Sequence, residues 1–422
     1  MTYEEALSYI HSICWKGSKL GLDRTRELLG KLNDPQKELK FIHIAGTNGK
    51  GSTAAMLSSI LEKAGYRVGL YTSPFINRFN ERMQVNHQPI PDEELAALTE
   101  YVRPHADAMA DSPTEFELIT ALAMVWFARQ KCDIVVLEVG MGGELDSTNI
   151  IDVPEAAVIA AMGMDHVKEL GPTMADIARA KAGIIKEGGR VVSYGGNSEA
   201  DEVIAAVCRA RNASLCQPDF SAIVPGDFGL EGQTFSYKGW RGLRIPLVGA
   251  YQMNNAAVVL ETVEVLRQRG WSVSDEAVRQ GLADTRWPAR FEVLRRDPVF
   301  IVDGGHNPHG IRATAESLRL LFPGRKITFV TGVMADKDVE HILGLIVPLA
   351  EQFFTVRPDN PRAMDAGELA ARIEAMGAKA TACASVQDGV DRAIQAEGPH
   401  GVACALGSLY MSGEVRSCFG KN

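Results

Sequence analysis

The stretch from Phe41 to Ala64 restricts the architecture of this chain more than any other. Phe41–Ala45 is a short apolar run with the look of a buried strand. The turn Gly46-Thr47-Asn48-Gly49-Lys50-Gly51-Ser52 follows it directly, and a small-residue segment from about Gly51 to Ala64, closed by Gly65, has the pattern of a helix. Strand, glycine turn and helix in that order form the first half of a βαβ unit, with the next strand expected at Tyr66–Thr72. A parallel sheet built this way needs more crossovers of the same kind, and the sequence supplies them. Ile90–Gln130 reads as mostly helical, Asp133–Val139 and Ala156–Met162 as strands buried on both faces, and Val191–Tyr194 as a strand after a helix around Ile177–Ile185. The expected fold class is therefore α/β, a doubly wound, mostly parallel sheet.

A chain of 422 residues exceeds what one core usually organises. Gln217–Leu247, rich in Gly and aromatic residues, reads as antiparallel hairpins forming an insertion or an edge. Helices are expected from Asn254 to about Arg269 and again after Ser274, and Trp287–Pro298 then loses periodicity. Strand-like runs resume at Val299–Val302, Lys326–Thr331, Phe353–Val356, Ala380–Cys383 and Gly401–Leu406. Two domains are expected, 1–294 and 295–422, the second a smaller Rossmann-like unit.

The composition excludes several classes. Hydrophobic residues at 46% and charged residues at 23% are globular values and argue against disorder. The longest apolar stretch, Leu118–Ala128, is too short to span a bilayer, and Glu4, Glu5 and His11 stand where a secretory leader would need a basic, then apolar, start. Seven scattered cysteines with no CxxC pair fit a reducing cytoplasm rather than a disulfide framework or structural zinc. A formal charge of −9 gives no basic footprint for nucleic acid. No membrane or nucleic-acid partner is expected, and any anionic ligand must be met by a few local cations.

The glycine turn is the place for such cations. Glycines let backbone N–H groups close on phosphate oxygens, the helix N-terminus adds favourable partial charge, and Lys50 supplies a point charge. The strict GxxxxGK[ST] pattern is not met, since position 44 is Ile and position 51 is Gly. The hydroxyl that normally follows the lysine and helps hold magnesium is thus missing, so metal ligands are expected at other strand ends: Ser73, Glu138 and His166. Carboxyl ends of neighbouring parallel strands converge on one crevice, where ligands bind.

Taken together, GTNGKGS (46–52), YTSPFINRFNER (71–82), TEFE (114–117), LEVGMGGELDSTN (137–149), MDH with a following LG (164–171), KAGIIK (181–186), WPARFE (287–292), DGGHNP (303–308) and GSLY (407–410) resemble folylpolyglutamate synthase, including its bifunctional dihydrofolate synthase forms, in the Mur ligase superfamily. The blocks occur in order over nearly the whole chain. The resemblance implies an ATP loop at Gly46, Thr47, Asn48, Gly49, Lys50, Gly51 and Ser52, and one or two Mg2+ ions among Ser73, Glu138 and His166. It also implies a carbamylated Lys181, which composition alone would leave as a solvated helix lysine. Asn255, Arg290, Asp303 and His306 are implied on the nucleotide, and Phe75, Arg82 and Phe116 beside a folate or dihydropteroate ring, with K+ as a further cofactor and a monomer as the working form. Two departures stand out: Gly305 where Ala is common, and Glu144 where the family often has Arg.

The implied reaction joins glutamate to a folate-type carboxylate through an acyl phosphate, with Lys50, Glu138, His166 and Lys181 as the catalytic group and a hinge near Trp287–Arg296 closing water out. LGLDR (20–24) resembles a segment of the bifunctional forms, which favours dihydrofolate synthase activity as well. Two rival readings are another Mur-type amino acid ligase and a nucleotide-controlled switch that turns over ATP without an acid or amine.

Overall fold

The computed structural model describes residues 1–14, 17 and 19–421. Two compact units are present. One comprises Met1–Phe75, Phe79–Ser221 and Asn254–Thr285; the other comprises Ile76–Arg78, Ala222–Met253 and Arg286–Asn422. The units are interleaved along the chain, which differs from a single cut at 294.

The sheet of the first unit has eight strands: β1 (Phe41–Ala45), β2 (Val68–Tyr71), β3 (Met83–Val85), β4 (Gln88–Pro89), β5 (Ile134–Glu138), β6 (Ala156–Ile159), β7 (Arg190–Ser193) and β8 (Ser214–Cys216), in the order β4-β3-β2-β5-β1-β6-β7-β8. All pairings from β2 to β8 are parallel, and only the β3–β4 hairpin adds antiparallel neighbours at one edge. All five residues of β1 and of β5 are buried, as expected of mostly apolar strands covered on both faces. Register places Ile44 beside Glu138 and Ala45 beside Ile159, so the residues that leave β1, β5 and β6 start from one edge of the sheet.

Val135 and Leu137 of β5 pack into a core with helices Asp92–Asp107 and Glu115–Arg129, and Ala157 and Ile159 of β6 into another with helices Met174–Ala182 and Ser198–Ala210. The helix Lys50–Lys63 is buried from Gly51 to Leu61, which its small residues allow. Helix Asp275–Asp284, capped by Ser274, lies directly against it: Ser59 Oγ donates to the Gly281 carbonyl at 2.7 Å.

In the second unit, β9 (Ile223–Gly229), β10 (Gly232–Tyr237) and β11 (Trp240–Ile245) form an antiparallel sheet of their own, in the order β11-β10-β9. The Gly- and aromatic-rich stretch is thus hairpin structure, but it is an edge of neither large sheet. Phe228, Leu230 and Val248 pack into the core of the second unit. That core centres on β12 (Glu292–Arg296), β13 (Val299–Val302), β14 (Ile327–Thr331), β15 (Ala350–Thr355), β16 (Ala380–Ala382) and β17 (Val402–Leu406), ordered β12-β13-β17-β14-β15-β16 and parallel except for β12 against β13.

Strand β12 lies within Trp287–Pro298, the segment whose sequence lacks periodicity. It is an edge strand with a register shift between Val293 and Arg295, and none of its residues is fully buried. Alternation is therefore broken where a period-two signal would have to appear. Among the described residues, no helix is long and apolar enough to cross a membrane.

The helix contact at Gly281 is tight enough to test. A Cβ there would lie 2.4 Å from the Ile60 Cα and 2.7 Å from its nitrogen, both backbone atoms that cannot rotate aside. Gly281→Ala is expected to destabilise the first unit by about 1–3 kcal/mol, the usual range for overpacking. Denaturant unfolding that shows no loss would contradict this contact.

Candidate functional site

The glycine turn is held by both conformation and close approach. Gly46 has φ +147° and Gly49 φ +82°. A methyl group on Gly46 would stand 2.8 Å from the Ala160 Cβ, and one on Gly49 would stand 2.7 Å from Asn255 Oδ1. Side chains are thus excluded at both positions, and the buried Asn255 is brought against the loop. The Thr47 and Asn48 amides donate to the Ala161 carbonyl at 2.9 and 3.1 Å, and Thr47 Oγ1 donates to the Gly163 carbonyl at 2.9 Å. These bonds fasten the turn to the segment after β6. The helix Lys50–Lys63 then begins with no side-chain cap on its amides. An uncapped helix start behind a glycine turn suits an anion.

Two lysines converge on one carbonyl. Lys50 Nζ donates to the Gly46 oxygen at 3.2 Å and the Thr47 oxygen at 3.4 Å, with Glu138 Oε1 4.0 Å away. Lys181 comes from helix Met174–Ala182, which a Thr173/Asp176 capping box starts, and its Nζ donates to the same Gly46 oxygen at 2.8 Å. Only 5% of Lys181 is exposed, which corrects the composition-based reading of a solvated helix lysine. Composition carries no sign of this burial, because the carbonyl that holds the amine lies far along the chain, in the turn after β1. Burial, with the like charge of Lys50, brings the Lys181 amine from 10.5 down to about 7.

Glu138, the last residue of β5, is buried. Ser73 lies beyond the end of β2, and its Oγ accepts from Arg82 Nη1 at 3.0 Å. His166 is half exposed at φ +51° at the start of the short helix Val167–Leu170, with Nδ1 4.0 Å from Glu169 Oε2. Among the described residues no three His, Cys, Asp or Glu side chains gather as a metal set. Magnesium prefers hard oxygen donors. The Glu138 carboxylate and the Ser73 hydroxyl are of that kind and fit such an ion, whereas Lys181 fits only if its amine becomes a carbamate.

The expected ring-binding residues also sit in the first unit. The Arg82 guanidinium lies over the rings of Phe75 and Phe79, 5.3 and 5.8 Å from their centroids. Phe116 occupies the first turn of helix Glu115–Arg129, which a Thr114/Glu117 capping box fixes, and it packs on Gly140, where a Cβ would be 2.5 Å from its Cζ. Glu117 also accepts two bonds from Arg24, both at 2.9 Å, so LGLDR ends on the helix that carries Phe116.

In the second unit Asp303 follows β13 as expected, but both its oxygens serve the protein. Oδ2 accepts from the Phe291 amide at 2.8 Å, and Oδ1 accepts from the Gly305 amide at 2.9 Å and Thr314 Oγ1 at 2.7 Å. His306 Nδ1 is 2.9 Å from the Gly304 carbonyl, and Arg290 Nη1 would be 3.2 Å from a Cβ on Gly304. Arg290 therefore lies against the turn that carries Asp303 and His306.

One polar group had no role in the sequence reading. His43 of β1 is fully buried, and its Nε2 pairs with Thr148 Oγ1 at 2.9 Å; Thr148 in turn bonds Asp146, which also takes the Met141 amide at 2.9 Å. Burial pushes the His43 imidazole down to about 3, so it is neutral at physiological pH. The only sequence signal was a histidine inside an apolar strand.

The Lys181 titration has a defined sign. The folded protein binds fewer protons than the unfolded chain between about pH 7 and 10.5, so stability rises with pH across that window. In carbonate-free buffer Lys181→Met is expected to abolish the rise. Unfolding free energies of the two proteins that run parallel over the window would contradict the burial of an amine.

Comparisons with known proteins identify the family of the chain. The Mur ligase middle domain matches residues 44–263, and the Mur ligase glutamate ligase domain matches residues 289–409. The chain is 38% identical to the folylpolyglutamate synthase of Lacticaseibacillus casei, over 99% of this chain and 98% of that one. It is 36% identical to the dihydrofolate synthase/folylpolyglutamate synthase of Bacillus subtilis, over 98% of both. The crystal structure of Mycobacterium tuberculosis folylpolyglutamate synthase complexed with ADP and AMPPCP superimposes with a TM-score of 0.90 at 30% identity, covering 100% of this chain and 99% of that one. By these matches over its full length, the chain belongs to the Mur ligase family and, within it, to the folylpolyglutamate and dihydrofolate synthases.

Proposed function

We propose that this protein adds L-glutamate to the carboxylate of a reduced folate at the expense of ATP, by way of an acyl phosphate. The observation that carries the reading is the glycine turn, with Lys50 folded over it and Glu138 beside it, in a chain related to ATP-dependent ligases along its whole length. A bare switch protein is set aside by that membership.

In this reading the amides of the turn and the Lys50 ammonium hold the β- and γ-phosphates. Asn255, Arg290, Asp303 and His306 belong to the rest of the nucleotide, and Phe75, Arg82 and Phe116 to the flat ring of the folate. The γ-phosphoryl passes to a carboxylate oxygen of the folate, ADP is released, and the glutamate amine attacks the acyl carbon as phosphate leaves and the nitrogen loses a proton. Protein catalysis of phosphoryl transfer is chiefly positioning and charge neutralisation. Magnesium held by Glu138, Ser73 and His166 would add Lewis-acid neutralisation of phosphate charge. K+ as a second cation and a cytoplasmic monomer complete the reading.

A lysine whose amine is neutral near pH 7 can add to carbon dioxide, and the depressed Lys181 has that property. The carbamate would replace a buried cation by oxygen donors. In 13C-bicarbonate the wild-type protein is expected to give a carbamate NMR signal that Lys181→Met lacks; an identical signal from both would remove the modification from the reading.

Arg24 favours a second substrate. LGLDR is anchored by the paired Arg24–Glu117 bonds beside Phe116, which supports a role for it in dihydropteroate binding and so dihydrofolate synthase activity. The test is phosphate release with dihydropteroate and with tetrahydrofolate, each with glutamate and ATP. Turnover is expected with both and should require all three reactants. Lys50→Ala should lower it on the order of a thousand-fold or more while unfolding behaviour is preserved. ATP turnover that ignores the folate and the amine, or survives in Lys50→Ala, would overturn the reading.

A further inference from the structure

The chain entering β12 carries two non-glycine residues in the left-handed region, Ala289 at φ +55° and Phe291 at φ +48°, with Arg290 between them. Both flanking residues are buried. Side-chain-bearing residues avoid this region, and such a pair persists only where the surroundings over-determine it. Here they do. The Ala289 amide donates to Glu292 Oε2 at 2.9 Å, the Ala289 carbonyl accepts from the Gly304 amide at 2.8 Å, and the Phe291 amide donates to Asp303 at 2.8 Å. Glu292 is itself held from the C-terminal helix Leu409–Cys418: Arg416 Nε donates to Oε2 at 2.9 Å, and Lys421 Nζ, just beyond that helix, lies 3.5 Å from Oε1.

We infer that Glu292, braced by Arg416, is a positioning residue for Arg290: it holds the strained Ala289–Phe291 turn in the conformation that lays the guanidinium over Gly304. The inference rests on the proposed role of Arg290 at the nucleotide. Glu292 forms its bonds with backbone and cations of the turn and the C-terminal segment, so its effect on ATP passes through the turn. A bland alternative exists, in which Glu292 merely ties the C-terminal helix to β12 and contributes to stability alone.

ATP affinity measured by calorimetry on the full chain, beside the melting temperature, separates these cases. Arg290→Gln and Glu292→Ala are each expected to weaken ATP binding on the order of ten-fold, given the strain that would be released. Adding Ala289→Gly to Glu292→Ala is expected to restore most of the loss, because glycine adopts positive φ without steric cost. Glu292→Gln, which keeps an oxygen for the Ala289 amide and loses the charge for Arg416, should show a smaller loss and covers the case in which Glu292→Ala does not fold. Weak binding in Arg290→Gln with full affinity in both Glu292 variants would sink the positioning role alone. Unchanged affinity in Arg290→Gln would remove the nucleotide role and the positioning role together. A weakened Glu292→Ala that Ala289→Gly does not rescue would overturn the claim that strain is the link.

Discussion

The Gly46 carbonyl is the point on which the polar interior of the first unit depends. It follows the last residue of the central strand, it accepts from two lysines, and its glycine has no room for a side chain against Ala160. Removing a lysine ammonium from water is expensive, and the cost falls when the group gives up its proton or gains partners. Lys50 has Glu138 4.0 Å away; Lys181 is buried, and burial lowers its proton affinity. One carbonyl oxygen thus holds two lysines in different surroundings, one beside a carboxylate and one buried with its proton affinity lowered.

Behind that arrangement lies a second layer of fixed polar groups. His43, Thr148 and Asp146 link the middle of β1 to the loop that follows Glu138, and the bonds of Thr47 with the Gly163 backbone link the turn to the loop after β6. Backbone polar groups at the carboxyl ends of three parallel strands would otherwise lack partners. Their satisfaction by neighbouring loops is what keeps a flexible glycine sequence in one shape. The second unit solves a similar problem with Asp303, which takes two amides and a hydroxyl from three separate stretches of chain and so fixes the turn that carries Arg290.

Much of this was legible from residues alone. The strand Phe41–Ala45, the helix after Lys50, the β5 and β6 runs and the strands of the second sheet follow from apolar runs of strand length alternating with helical patterns, and they appear within a residue or a few of the expected limits. The edge strand Glu292–Arg296 was not legible, because a half-exposed strand with a register shift has no period to read. The membership of the Gly- and aromatic-rich hairpins was not legible either: their turns are local, but the core that Phe228 and Leu230 join is assembled from residues far along the chain.

Local pattern sufficed for most of the strands and helices, for the chemistry available at the glycine loop and for the family to which the ordered blocks belong. Tertiary structure alone decided the state of Lys181, the occupation of both Asp303 oxygens, the His43 chain and the strained turn around Arg290. These depend on burial and on partners separated by many residues, and a lysine, an aspartate or an alanine carries no local mark of the dielectric or the backbone conformation that folding will impose on it.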